Sequence, residues 1–154
     1  MTTILLAFVL FLSGAQSIEL PSKKVLSLAA VKKMVAGAEA EAKKQNVEVT
    51  ICVVDDAGTL LFLEKGDGLP SGTVMFAEKK ARHAAAYGRP SKDGADAVKN
   101  GNTGVLVMPD FFPAQGGVPI IVDGKVLGGI AASGAKSEID EAIAQAGVDA
   151  LLKR

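Results

Sequence analysis

The chain has 154 residues, 49% of them apolar, which is enough for one domain with a buried core. Its 17 basic and 17 acidic residues cancel, and no tract of like charge points to nucleic acid. Aromatic residues make up only 5%, with no Trp, which argues against a base-stacking surface, and Cys52 stands alone, without a disulfide partner or a zinc-type cluster.

Residues 4–12 form a short apolar run, ended by Ser13 and Gly14, and Ala15-Gln16-Ser17 has the small-x-small pattern of a cleavage site. This predicts a signal peptide over 1–17 and an extracytoplasmic (periplasmic or secreted) mature chain, although the leader carries no Lys or Arg ahead of its apolar run. The run is shorter than the ~20 residues a membrane-spanning helix needs, so no membrane association is expected after cleavage. A single domain over 24–154 follows.

Residues 26–45 predict an amphipathic helix capped by Ser27, with Leu28, Val31, Val35, Ala38 and Ala42 on one face and Lys43 and Lys44 at its end. Residues 48–55 alternate as a strand, Asp56-Ala57-Gly58 turns the chain, and residues 59–64 return as a second strand. After a Gly/Pro-rich loop, residues 73–87 are helical until Gly88, Arg89 and Pro90 stop them, and Ser91 can cap a short helix through Lys99. Residues 100–117 hold four Gly and two Pro and predict an irregular segment, save for a short strand at 105–108.

Residues 116–134 carry the strongest local signal, a hairpin of strands 118–122 and 125–132 joined by Asp123-Gly124, a pair that tolerates the two positive φ angles of a type I′ turn. Both strands are apolar on both faces, so the hairpin is expected at the centre of the sheet. Gly128 and Gly129 mark a bulge or a close approach by another backbone or a ligand, or simply helix-to-sheet packing. Ser137 and Asp140 have the spacing of an acidic capping box for a last helix. Hairpins separated by helices predict an α+β fold, an antiparallel sheet of about five strands flanked by helices.

Phosphate-loop, nucleophile-elbow, HExxH and EF-hand motifs are absent. Asp55-Asp56 is better read as a turn than as a metal pair, and Asp140-Glu141 as a response to the helix dipole. His83 is the only histidine. Helical spacing puts Phe76, Lys79, Lys80 and Tyr87 on its side of the helix. An imidazole, two cations and aromatic rings suit a flat anionic macrocycle, with His83 as metal ligand to iron and the lysines near carboxylates. Phe111 and Phe112, in the Gly-rich segment, could cover such a ring. A lone helical histidine can equally be an ordinary polar residue of the helix surface.

Five stretches together resemble one family: Leu28 to Ala42, VVDDAGTLL, KARHAAAYGRPS, GGVPIIVDGKVLGGIAASG and DEAIAQAG. They are similar to the GlcG/HbpS family of small haem-binding or haem-degrading-like proteins, over roughly residues 24 to 152. The resemblance implies a profilin- or PAS-like sheet, a homo-oligomer that is often an octamer, and haem as cofactor, with a corrinoid or no ligand as alternatives. It supports an exported haem-binding protein that stores, senses or sequesters haem. The other readings it leaves are an enzyme acting oxidatively on haem or on a small carboxylate metabolite, and an oligomeric scaffold without a ligand. The family usually has Thr after KAR, where this chain has His83, so the family's own ligation does not transfer directly.

Overall fold

In the computed structural model, which describes residues 18–153, Ser27 caps the first helix by accepting a hydrogen bond from the Ala30 N–H at 3.2 Å. The expected leader, 1–17, lies outside the described residues. Helix α1 runs Leu28–Lys44, followed by β1 (Thr50–Asp55), β2 (Leu60–Lys65), α2 (Gly72–Tyr87), α3 (Ser91–Lys99), β3 (Gly117–Val122), β4 (Lys125–Ser133) and α4 (Ser137–Leu152).

The four strands form one antiparallel sheet in the order β2-β1-β4-β3. Alternation along the two central strands splits the core. Ile51 and Val53 of β1, with Ile130 and Ala132 of β4, pack on Val31, Met34 and Ala38 of α1 and Ile143 and Ala144 of α4. Cys52, Val54 and Ala131 face the opposite way, onto Ala77, Ala81 and Ala85 of α2. Helices therefore cover both faces, and each large aliphatic side chain fully buried this way contributes about 1.5–3 kcal/mol.

Two expectations about the sheet are corrected. The β3–β4 hairpin is not central as a unit: β4 is, but β3 forms an edge, where Pro119 is tolerated because an edge strand can spare a donor. The sheet has four strands rather than five, because residues expected as a short strand lie in a 3-10 helix, Thr103–Val107, and the turn after it. That segment finds no strand to pair with and folds against α3 instead; strand propensity in a Val-Leu-Val run depends on such a partner.

The turns follow the sequence closely. Asp123 and Gly124 have φ of 51° and 73°, as a type I′ loop requires. The Asp55 Oδ1 accepts from the Ala57 and Thr59 N–H groups at 2.9 and 2.8 Å, a turn role that uses the carboxylate locally.

Helix α2 sits unusually close to the sheet. A Cβ on Gly129 would lie 2.1 Å from the Ala81 carbonyl oxygen, and one on Gly117 would lie 2.2 Å from that of Lys80. Only glycine at these positions lets helix backbone rest on strand backbone. On the edge of α2, Lys80 Nζ donates to Asp140 Oδ2 of α4 at 2.9 Å and to the Ala132 carbonyl at 3.1 Å. This pair ties the helix layers on the two sides of the sheet. It also corrects the capping-box expectation: Lys136 is the N-cap of α4, Ser137 lies inside the helix, and Asp140 is buried, its Oδ1 accepting from the Ala135 N–H at 3.0 Å.

Candidate functional site

The alanines of α2 take the sheet-facing side, which leaves Phe76, Lys79, His83 and Tyr87 on a neighbouring stripe. That stripe meets the irregular segment after the 3-10 helix. His83 is only 2% exposed, and its ring forms a triangle with those of Tyr87 and Phe111, each with its centroid 4.9 Å away and 5.9 Å from one another. Phe76 packs on Phe112 at 5.7 Å between centroids, and Lys79 Nζ stands 5.6 Å from the centre of the Phe112 ring.

Residues 109–114 are strapped over the imidazole at three points. The Tyr87 hydroxyl donates to the Pro109 carbonyl. The Phe112 N–H donates to His83 Nδ1 at 2.9 Å. Ser91 Oγ donates to the Ala114 carbonyl at 2.6 Å and accepts from the Gly117 N–H at 2.9 Å. Ser91 is thus a clamp rather than the cap expected of it; Pro90 occupies the N-cap of α3.

The middle contact fixes the chemistry of the imidazole. A backbone N–H can only donate, so Nδ1 must offer its lone pair and the proton of the neutral ring sits on Nε2. Burial and the nearby Arg89 guanidinium hold the His83 pKa below its usual 6.5, partly opposed by Asp93, which keeps the ring neutral. In this conformation neither nitrogen has a lone pair to give a metal. A metal-ligating histidine donates its second N–H outward; here that second nitrogen receives a hydrogen bond instead.

The six residues Phe76, Lys79, His83, Tyr87, Phe111 and Phe112 come together as the helical spacing and the Gly-rich segment implied. Lys80 does not join them: it is 5% exposed and committed to Asp140. Gly94 was not singled out from the sequence, yet α3 approaches the imidazole there. A Cβ on it would lie 2.7 Å from His83 Cε1 and 3.0 Å from Phe111 Cζ. A glycine inside a helix costs about 1 kcal/mol relative to alanine, and that was the available signal.

Two hollows flank the strap. One, of 230 Å³, lies among Lys79, Asp110, Phe111 and Phe112. The other, of 130 Å³, is lined by His83, Tyr87, Arg89, Asp93, Asn102 and Phe111 with smaller contributions from neighbours. Both fall below the ~300 Å³ at which pockets for drug-sized ligands begin. A larger cleft of 520 Å³ lies apart, between the end of α1 and the β1–β2 ladder, among charged residues including Glu39, Glu48 and Glu64. Among the described residues no group of three or more His, Cys, Asp or Glu could hold a metal ion.

Comparison with known proteins gives this arrangement a setting. The Protein GlcG of Escherichia coli (strain K12) is 35% identical over 112 residues, 73% of this chain and 84% of that protein. The crystal structure of HbpS, 31% identical, superposes with a TM-score of 0.79 over 92% of this chain and 99% of that one. The crystal structure of a PduOC:haem complex, 26% identical, has a TM-score of 0.74 over 82% of this chain and 95% of its own. A family model described as haem degrading protein HbpS-like matches residues 26–149, and the chain belongs to this HbpS-like family.

Proposed function

We propose that this protein binds haem on the outer surface formed by α2 and residues 109–114, as an exported homo-oligomer that stores, senses or sequesters it. The observation that carries the reading is the aromatic face itself: half-exposed Phe76 against Phe112, with Lys79 beside them, directly above a buried imidazole. The membership in the HbpS-like family, with a haem complex among its structural relatives, supports it.

The residues fit a haem on that face rather than inside the fold. The two hollows are too small for a macrocycle, whereas Met75, Phe76 and Met108 present apolar area at the surface, 50%, 43% and 43% exposed. A ring lying there keeps one side open, and a second copy of the chain supplies the cover in this proposal. Bound haem would supply an iron centre for ligand binding or redox chemistry. Lys79 would meet a propionate. For His83 to serve as the iron ligand, the Phe112 N–H must first leave Nδ1, so the strap has to lift. The leader-like residues 1–17 support an extracytoplasmic site of action.

Titration of the mature protein with haemin, followed by absorption, tests this. A Soret change that saturates at a simple stoichiometry, weakened by Lys79→Ala and Phe112→Ala, is expected. A haemin spectrum unaltered by the protein would overturn the reading. His83→Ala separates the ligand role from the face: loss of iron ligation shifts the Soret position, while loss of packing alone weakens binding at an unchanged position. Light scattering of the mature form tests assembly, and a monomer at micromolar concentration would remove the second copy from the proposal.

A further inference from the structure

The 130 Å³ hollow beside His83 has features that the haem reading does not use. His83 Nε2 carries the proton, as Nδ1 is occupied, and no hydrogen bond from the described residues reaches it. The atom is not sealed from its surroundings, so its N–H is open to an acceptor in the hollow that the ring lines. The ring edge next to Nε2, at Cε1, faces Gly94, and both residues line the hollow. Arg89 also lines it, acts on the charge of the imidazole, and makes no ion pair among the described residues. Val105, Met108 and Phe111 provide the apolar part of the wall.

We propose that this hollow binds a carboxylate carried on a short apolar stem, with His83 Nε2–H donating to one oxygen and the Arg89 guanidinium supplying the countercharge. A hollow of 130 Å³, well below the ~300 Å³ at which pockets for drug-sized ligands begin, suits a short-chain monocarboxylate and is far too small for a porphyrin. Asp93 on the same rim disfavours a second negative charge and so selects against inorganic phosphate. Gly94 closes one side of the hollow against the imidazole, because a Cβ there would overlap His83 Cε1 at 2.7 Å and push the ring. Two sources offer the same chemistry: a free short-chain acid, or the propionate arm of a porphyrin lying on the face outside. Only the second rests on the haem reading. With Nε2–H given to a carboxylate, Nδ1 is the one ring nitrogen left for iron, and only once the Phe112 N–H has left it.

The experiment uses the mature chain with sodium propionate as probe and inorganic phosphate as control. It is read by the NMR signals of the His83 Nε2–H and the Phe112 amide. Propionate should shift both saturably and phosphate should not. Arg89→Gln, a surface change, should weaken propionate at least tenfold, and Gly94→Ala should abolish the shift. A second arm compares haemin with its dimethyl ester, in which both carboxylates are blocked. A tenfold preference for free haemin that disappears in Arg89→Gln identifies the porphyrin arm as the source. Propionate binding with no such preference identifies a free acid. The proposal is overturned if propionate leaves both signals unmoved and Arg89→Gln leaves the haemin-to-ester ratio unchanged. Absence of haemin binding alongside propionate binding would refute the haem reading and leave this one standing.

Discussion

Replacing Lys80 by Met tests the pair that joins the two helix layers. The side chains of Lys80 and Asp140 are only 6% and 3% exposed, and Nζ to Oδ2 is 2.9 Å. Without the ammonium, Asp140 keeps one contact, from the Ala135 N–H to Oδ1, and its other oxygen is stranded where water does not reach. Removing one member of such a pair typically costs about 3–5 kcal/mol, a large part of the ~5–15 kcal/mol that holds a domain together. Lys80→Met with Asp140→Leu removes both charges and leaves the Ala135 N–H short of an acceptor and the Ala132 carbonyl short of the Lys80 donor, at about 1 kcal/mol each. The double variant should therefore be more stable than Lys80→Met alone. Urea denaturation followed by circular dichroism reads all three variants. A loss below about 1 kcal/mol in Lys80→Met, or a double variant that loses the sum of the two singles, would refute the assignment. Haemin affinity provides an independent check. Lys80→Met, where folded, should bind as wild type does, while Lys79→Ala should bind more weakly.

Four further outcomes are expected. Gly124→Val should destabilise by about 1–3 kcal/mol through backbone strain, since φ is 73° and the space around its Cβ is open; an unchanged urea midpoint would refute this. Cys52 is fully buried, and burial pushes its thiol up to about 12, so native protein should resist a thiol reagent at pH 8 and react on unfolding. The same thiol should cost stability as pH rises above its ordinary value near 9, where only the unfolded chain ionises, which a Cys52→Ala comparison across pH 8–10 reads out. His83 acts in the opposite direction. Its folded pKa lies below 6.5, so its contribution is present above pH 6.5 and is lost as pH falls through the folded value, where a protonated Nδ1 can no longer accept from Phe112. Gln at position 83 can accept that bond without titrating, and the wild-type urea midpoint should fall more between pH 7.5 and 5 than that of His83→Gln.

What was legible in the sequence was whatever depends on near neighbours. Asp123-Gly124 announces its turn because only a few residue pairs adopt those two angles, and Ser27 announces a helix start because its hydroxyl serves an amide three residues on. The stripe Phe76, Lys79, His83 and Tyr87 was legible from helical period alone. Lys80 lies beside that stripe by the same period, and nothing local distinguishes it; its destination was set by Asp140, sixty residues away. Asp140 misled in the mirror-image way, since its spacing from Ser137 matches a cap while its real partner is remote. The missing fifth strand has a similar cause. A Val-Leu-Val run reads as a strand, but pairing needs an edge, and residues 103–107 were drawn to α3 instead. Gly94 was visible as an odd residue in a helix, though its reason, an imidazole from another helix, was not.

The seating of α2 on glycine has a consequence for how the molecule transmits strain. At Gly117 and Gly129 the helix touches peptide groups, so the height of His83 above the sheet is referenced to the ladder itself and not to a layer of side chains that can repack. The other face rests on interchangeable aliphatic groups such as Val31, Met34 and Ile143. Volume changes there should be absorbed by α1 and α4, with the ladder acting as a stiff partition between them and the imidazole. One side of this protein is thereby free to drift in sequence, or to be redesigned, while the geometry on the other stays in calibration.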